Sequence, residues 1–233
     1  MKKFSLVFLL LMLLFSTSPA FANPYQKANP AFRQVKVDDP KIQFQIKGEA
    51  KVWEATLHYR VKAGKKIVAQ GFKTASKGAP QWGKFSLDLT LTKSKVKGKE
   101  LTLELFEESQ ANGSEIHKLT IPLKTIDNKK YQNQAFRYVT GSTQYIYHVK
   151  GEARVWEATY HYEVSDGHNI LKKGYGTASN GAPKWGTFQQ TIKIPKKKMR
   201  VNGSIILELY EESMKDGSRK NRYFQRLDQF PWK

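Results

Sequence analysis

The chain repeats itself. "GEAKVWEATLHYRV" at residues 48–61 returns as "GEARVWEATYHYEV" at 151–164, identical at eleven of fourteen positions. "TASKGAPQWGKF" (74–85) returns as "TASNGAPKWGTF" (177–188), again 103 residues on. "LTLELFEESQANGS" (101–114) returns as "IILELYEESMKDGS" (205–218), 104 residues on. A short leader recurs too: "AFR" stands at 31–33 and at 135–137. Solenoid units repeat every 20–50 residues or so, and a period about twice that suits a duplicated small domain.

Within each copy the hydrophobic period is two. Trp53, Ala55, Leu57, Tyr59 and Val61 alternate with Glu54, Thr56, His58 and Arg60. Trp156, Ala158, Tyr160, Tyr162 and Val164 repeat the pattern, and Leu101, Leu103 and Leu105 alternate with Thr102 and Glu104. One apolar and one polar face is the mark of a half-buried strand. Turn signals, "NGS" at 112–114 and "DGS" at 216–218, separate strand candidates, and no helical period is sustained beyond the N-terminal segment. The expectation is all-β: two tandem antiparallel β-sandwich domains. On this alternation Trp53, Trp156, Tyr59 and Tyr162 are structural core residues.

Residues 1–22 read as a cleaved signal peptide: Lys2 and Lys3, an apolar run from Phe4 to Phe15, then Ala20-Phe21-Ala22. The run is shorter than the roughly 20 residues a membrane span needs. The remainder divides into domain 1 at 23–126 (core from about residue 40), a polar linker at 127–140 and domain 2 at 141–233. Each half carries its own core strands, tryptophans and turns, and each is expected to fold alone. There is no Cys, so disulfides and a lipid-anchored cysteine are excluded. The expected location is secreted or envelope-associated, with no stable membrane insertion after signal cleavage.

The three repeated blocks resemble the immunoglobulin-like domain of bacterial spore germination proteins. The strand block is Ile46–Ala55 and Val149–Ala158. The Gly/Pro loop with its Trp-Gly entry is Thr74–Phe85 and Thr177–Phe188, and the closing block is Leu103–Ser114 and Leu207–Ser218. Copy one keeps the terminal "IPL" at Ile121–Leu123, whereas copy two ends on "YFQRLDQFPWK". The resemblance implies immunoglobulin-like sandwiches, a non-enzymatic accessory role and a link to sporulation or germination. It brings no catalytic residues and no cofactor.

Lys and Arg number 40 against 20 acids, a formal charge of +20 that becomes +18 once Lys2 and Lys3 leave with the signal. Such a chain is drawn to anionic polymer. Its expected partners are anionic cell-wall polymer or an envelope protein, and export argues against nucleic acid. Two basic runs occupy corresponding places: Lys93, Lys95, Lys97 and Lys99, then Lys196, Lys197, Lys198 and Arg200. They are the candidate polyanion site. Trp82 and Trp185, each between a Gly/Pro turn and a Gly, either cap the core or stack on sugars. A carbohydrate-binding module and a secreted proteinase inhibitor are therefore alternatives. Glu54 and His58 lie four apart on a strand, roughly 13 Å, too far to share one metal ion at about 2 Å. No metal site is expected, and no nucleophile or phosphate-loop motif is present.

Overall fold

The computed structural model describes residues 29–199 and 203–232. The expected signal peptide and Arg200 lie outside them. Strands in chain order are β1 (Phe32–Val37), β2 (Lys41–Ala50), β3 (Thr56–Ala63), β4 (Lys66–Thr74), β5 (Gly83–Thr92), β6 (Leu101–Glu108) and β7 (Glu115–Pro122). There follow β8 (Phe136–Ala153), β9 (Thr159–Ser165), β10 (Ile170–Thr177), β11 (Gly186–Pro195), β12 (Gly203–Glu212) and β13 (Arg219–Phe230). A single helical turn, α1 (Lys93–Val96), follows β5.

Two outer sheets, β4-β3-β6-β7 and β10-β9-β12-β13, flank one shared sheet of β1, β2, β5, β8 and β11. Alternation explains the faces. In β5 the residues Phe85, Leu87, Leu89 and Leu91 are buried while their neighbours are exposed. The all-β, twin-sandwich expectation is met, with three strands of the shared sheet facing four outer strands on each side.

The shared sheet also shows what the repeat alone did not. The leader of each copy belongs to the other copy's sandwich. β1 lies in copy one, yet pairs with the C-terminal half of β8, Phe32 opposite Ala153 and Val37 opposite Val149. The first half of β8 is the leader of copy two, yet pairs with β2, Phe136 opposite Ala50. Ala31 and Phe32 are buried in the second core; Ala135, Phe136 and Val139 are buried in the first. An Asn pins each exchanged strand. Asn29 accepts the Ala31 and Phe32 N–H groups and donates to the carbonyls of Asn221 and Arg222. Asn133 does the same for Ala135 and Phe136, and donates to the His117 carbonyl.

Two expectations are corrected here. Residues 127–140 are not simply a linker, because 136–140 pair with β2 as part of the first sandwich, with Phe136 and Val139 buried. The halves are also not self-contained, because each lends a strand to the other. The physical reason is the apolar leader itself: Phe32 and Phe136 are almost fully buried in the exchanged position, each in the other copy's core.

Equivalent strands meet at the centre. Ile42 pairs with Tyr145, its own counterpart in copy two, so the copies join as in a self-complementary two-fold contact. Cross-braces repeat the symmetry. Lys93 reaches Asp228 at 2.5 Å, and its counterpart Lys196 reaches Asp127 at 3.0 Å. Tyr145 packs against both cores and against Phe230 and Trp232. The symmetry breaks at Pro40, which lacks an N–H and separates β1 from β2. Thr143 stands in its place in copy two, and β8 runs unbroken for 18 residues.

Candidate functional site

After β2 ends at Ala50, Val52 turns inward and is fully buried. A single tight turn follows, Trp53–Ala55, in which Glu54 (φ 48°, ψ 27°) and Ala55 (φ 58°) are left-handed. Glu157 (φ 49°, ψ 27°) and Ala158 (φ 59°) reproduce it in copy two. Consecutive non-glycine residues in this region are uncommon and costly. Two left-handed residues break the strand alternation, so the indoles point outward: Trp53 is 54% exposed and Trp156 61%. The expectation that they fill the core is corrected. Of the other two, Tyr59 packs part-buried on the first core and Tyr162 is buried in the second.

All three repeated blocks converge on this turn. The carboxylate of Glu107 accepts the Trp53 N–H at 2.7 Å and contacts His117 Nδ1 at 2.8 Å. Glu211 accepts the Trp156 N–H at 2.9 Å and a second bond from Asn221. The Gly/Pro loop closes over the other side. Ala75 donates to the Ala55 carbonyl and Ala79 to that of Val52; Ala178 and Ala182 do the same for Ala158 and Val155. Gly78 and Gly181 are required here, since a Cβ at either would lie 2.7 Å from the backbone nitrogen of Ala55 or Ala158. Hence the turn is held by backbone and by carboxylates, and it offers its indole to solvent.

Trp82 and Trp185 have a different task. Arg137 lies 4.3 Å from the Trp82 ring centre, with Lys51 at 5.2 Å. Arg33 lies 4.1 Å from Trp185, with Arg154 at 4.9 Å. Arg33 and Arg137 are the arginines of the exchanged leaders, and each also pairs with a glutamate, Glu152 or Glu49. These part-buried rings are seats for the exchange, held by cation–π contact. Each ring is part-buried beneath the cation of an exchanged leader.

The lysine runs lie at the junction between the copies. Lys93 and Lys196 are engaged in the cross-braces, and Lys93 also lies 5.4 Å from the Trp232 ring. Lys95, Lys97, Lys99, Lys197 and Lys198 are exposed. On the outer sheets His58 stacks on Phe106 (5.6 Å) beside the exposed Phe72, and His161 stacks on Tyr210 (5.6 Å) beside the exposed Tyr175. Glu108 and Glu212 stand 3.5 and 3.6 Å from these imidazoles. Hydrogen bonds from Arg60 and Lys118 pull Glu115 down to about 2. Among the described residues no group of three or more His, Asp or Glu is placed to hold a metal ion, and no helix is long and apolar enough to cross a membrane.

The molecule is thus a tandem immunoglobulin-like sandwich protein with a reciprocal strand exchange. The profile of the immunoglobulin-like domain of bacterial spore germination (Gmad2) matches residues 29–114 and 142–218. Together these are well over half of the chain, and the chain belongs to that family. No curated protein and no solved structure matches it.

Alternation alone missed the tryptophan turn, yet a signal was present. Val52 and Trp53 are adjacent apolar residues, as are Val155 and Trp156. Both cannot face inward on one strand.

Proposed function

We propose that the chain is an exported, non-enzymatic binding module of the bacterial envelope, serving germination by attaching to anionic envelope polymer. The observation that carries this reading is charge placement: a +20 chain keeps Lys95, Lys97, Lys99, Lys197 and Lys198 exposed at the junction of its two copies. Exposed lysines recognise charge density more than shape. The non-enzymatic reading is supported by the fate of the repeated glutamates. Glu104 and Glu208 are neutralised by Arg60 and Lys62 or by Arg219 and Arg222. Glu107 and Glu211 hold the tryptophan turns. Each is engaged in holding the fold.

The test is co-sedimentation of the protein with purified cell walls across a salt series. Retention should weaken steeply as salt rises, because charge attraction is screened over about 10 Å at 0.1 M. Lysine-to-glutamine changes at either loop should weaken it further. Retention indifferent to both salt and substitution would overturn the reading.

A further inference from the structure

The two tryptophan turns stand at opposite ends of the molecule. Trp53 follows Ala50, which pairs with the first residue of β8. Trp156 follows Ala153, which is the last residue of β8. At about 3.3 Å per residue, the 18 residues of β8 set the two turns roughly 55 Å apart.

We propose that Trp53 and Trp156 are two equivalent glycan-stacking sites, and that the chain binds an acidic wall glycan bivalently, one end at each site. The proposal deepens the envelope reading by naming the polymer and a contact other than the lysines. Four observations carry it. The indoles are more than half exposed, while the neighbouring Val52 and Val155 take the buried positions. Each is held out by a left-handed turn of non-glycine residues, a cost repeated in both copies at the same angles. Strand register places a second exposed ring, Phe72 (66%) or Tyr175 (71%), near the same end: Thr56 pairs with Thr74 and His58 with Phe72, about 7 Å further along the strand. Finally, the net charge complements a carboxylate-bearing polymer.

A sugar ring fits this display better than a protein does. It has a flat C–H face for the indole and hydroxyl edges for the polar surroundings, such as the exposed Glu54 and Glu157. A stable protein contact covers about 800 Å² per partner, whereas each turn offers one isolated ring and a neighbour. Two sites on a stiff spacer reinforce each other on a polymer but act separately on short oligosaccharides.

The experiment uses the whole chain with Trp53→Ala, Trp156→Ala and the double variant. The soluble probe is the β-1,4-linked N-acetylglucosamine hexamer, followed by calorimetry. The insoluble probe is peptidoglycan stripped of teichoic acid, sedimented at about 1 M salt, where charge attraction is screened over about 3 Å. The parent should bind two hexamers, each single variant one and the double variant none, with melting temperatures held near the parent's. On peptidoglycan a single substitution should lower affinity by about 100-fold through lost avidity. A parent that binds neither probe at high salt, or a double variant that binds as the parent does, overturns the proposal. If low-salt wall binding persists in that case, the lysine reading survives alone. Capture of an envelope protein that is lost with the same substitutions, without peptidoglycan binding, assigns the turns to a protein and likewise overturns the glycan.

Discussion

The two sandwiches share one backbone plan and differ in what fills it. Where the first core has Phe44, Leu57 and Leu119, the second has Tyr147, Tyr160 and Tyr223. One core is hydrocarbon; the other carries buried hydroxyls, and a buried hydroxyl needs a partner. Tyr147 donates to Asp228 and Tyr160 to Gln190, each at 3.3 Å. The difference teaches what the fold depends on. Core identity changed freely between copies, while the exchanged leader, the cation-covered Trp and the left-handed turn did not. Those fixed features are the ones that link the halves and shape the ends.

The exchange gives the largest effect. Phe32→Ala and Phe136→Ala should each cost about 3–5 kcal/mol, the usual loss for a buried Phe. The damage should appear in the other copy. Hydrogen exchange of the Phe32 variant should rise in β11, β12 and β13, and that of the Phe136 variant in β2, β3 and β6. Faster exchange confined to the mutated residue's own repeat would show that the strands are not exchanged in solution.

The cross-braces differ next. Asp228 is fully buried at its side chain and accepts bonds from Lys93, Trp232 Nε1 and Tyr147, whereas Asp127 keeps 22% of its side chain in water. Asp228→Ala should cost about 3 kcal/mol, since it strands a part-buried cation and orphans three donors, the Gln229 N–H included. Asp127 also accepts the N–H and the hydroxyl of buried Thr143, but water can reach its carboxylate, so Asp127→Ala should cost about 2 kcal/mol, less than Asp228→Ala. Equal losses by urea unfolding would erase the asymmetry between the two braces.

Base should find the hydroxylated core. Burial pushes Tyr160 up to about 12 from its usual 10, with Tyr162's charge adding to it. A raised folded pKa means the stabilisation is complete below pH 10 and is lost as pH climbs from 10 through 12. For Tyr160 the loss is on the order of 2 kcal/mol. Tyr160→Phe should therefore move the alkaline midpoint of unfolding upward, while leaving neutral stability nearly unchanged. An unmoved alkaline midpoint would mean that Tyr160 is not the group base attacks.

The strands and the duplication were legible because burial on one face leaves a period of two in the sequence. β5 reads directly from Phe85, Leu87, Leu89 and Leu91. The partnership of the leaders was not legible. "AFR" announces an apolar strand, but nothing in "AFR" says which of two equivalent edges it fills, since both edges were copied together. The tryptophan turn failed for another reason. Glu54 and Ala55 are ordinary in strands and rare in left-handed backbone, and they are forced there by Glu107, Ala75 and Gly78, contacts remote in sequence. The lysine runs were visible, but their division into bracing and exposed members required Asp127 and Asp228 to be placed.

The smallest effect concerns that turn, and its sign is the informative part. Glycine adopts positive φ without the clash that costs other residues about 1–2 kcal/mol. It also gives the unfolded chain more freedom, which opposes the gain by about 0.4–1 kcal/mol. Glu54→Gly and Glu157→Gly should therefore stabilise the protein slightly, by about 0.5 kcal/mol, and by the same amount in both copies because their angles agree within a degree. Thr56→Gly is the contrast: Thr56 sits at φ −95°, ψ 117°, an extended conformation, and its replacement should destabilise. The looser turn should meanwhile hold its indole less firmly, so hexamer binding should weaken as stability rises. If Glu54→Gly destabilises as Thr56→Gly does, the left-handed backbone is not under strain, and the case for a turn held out for binding loses its energetic support.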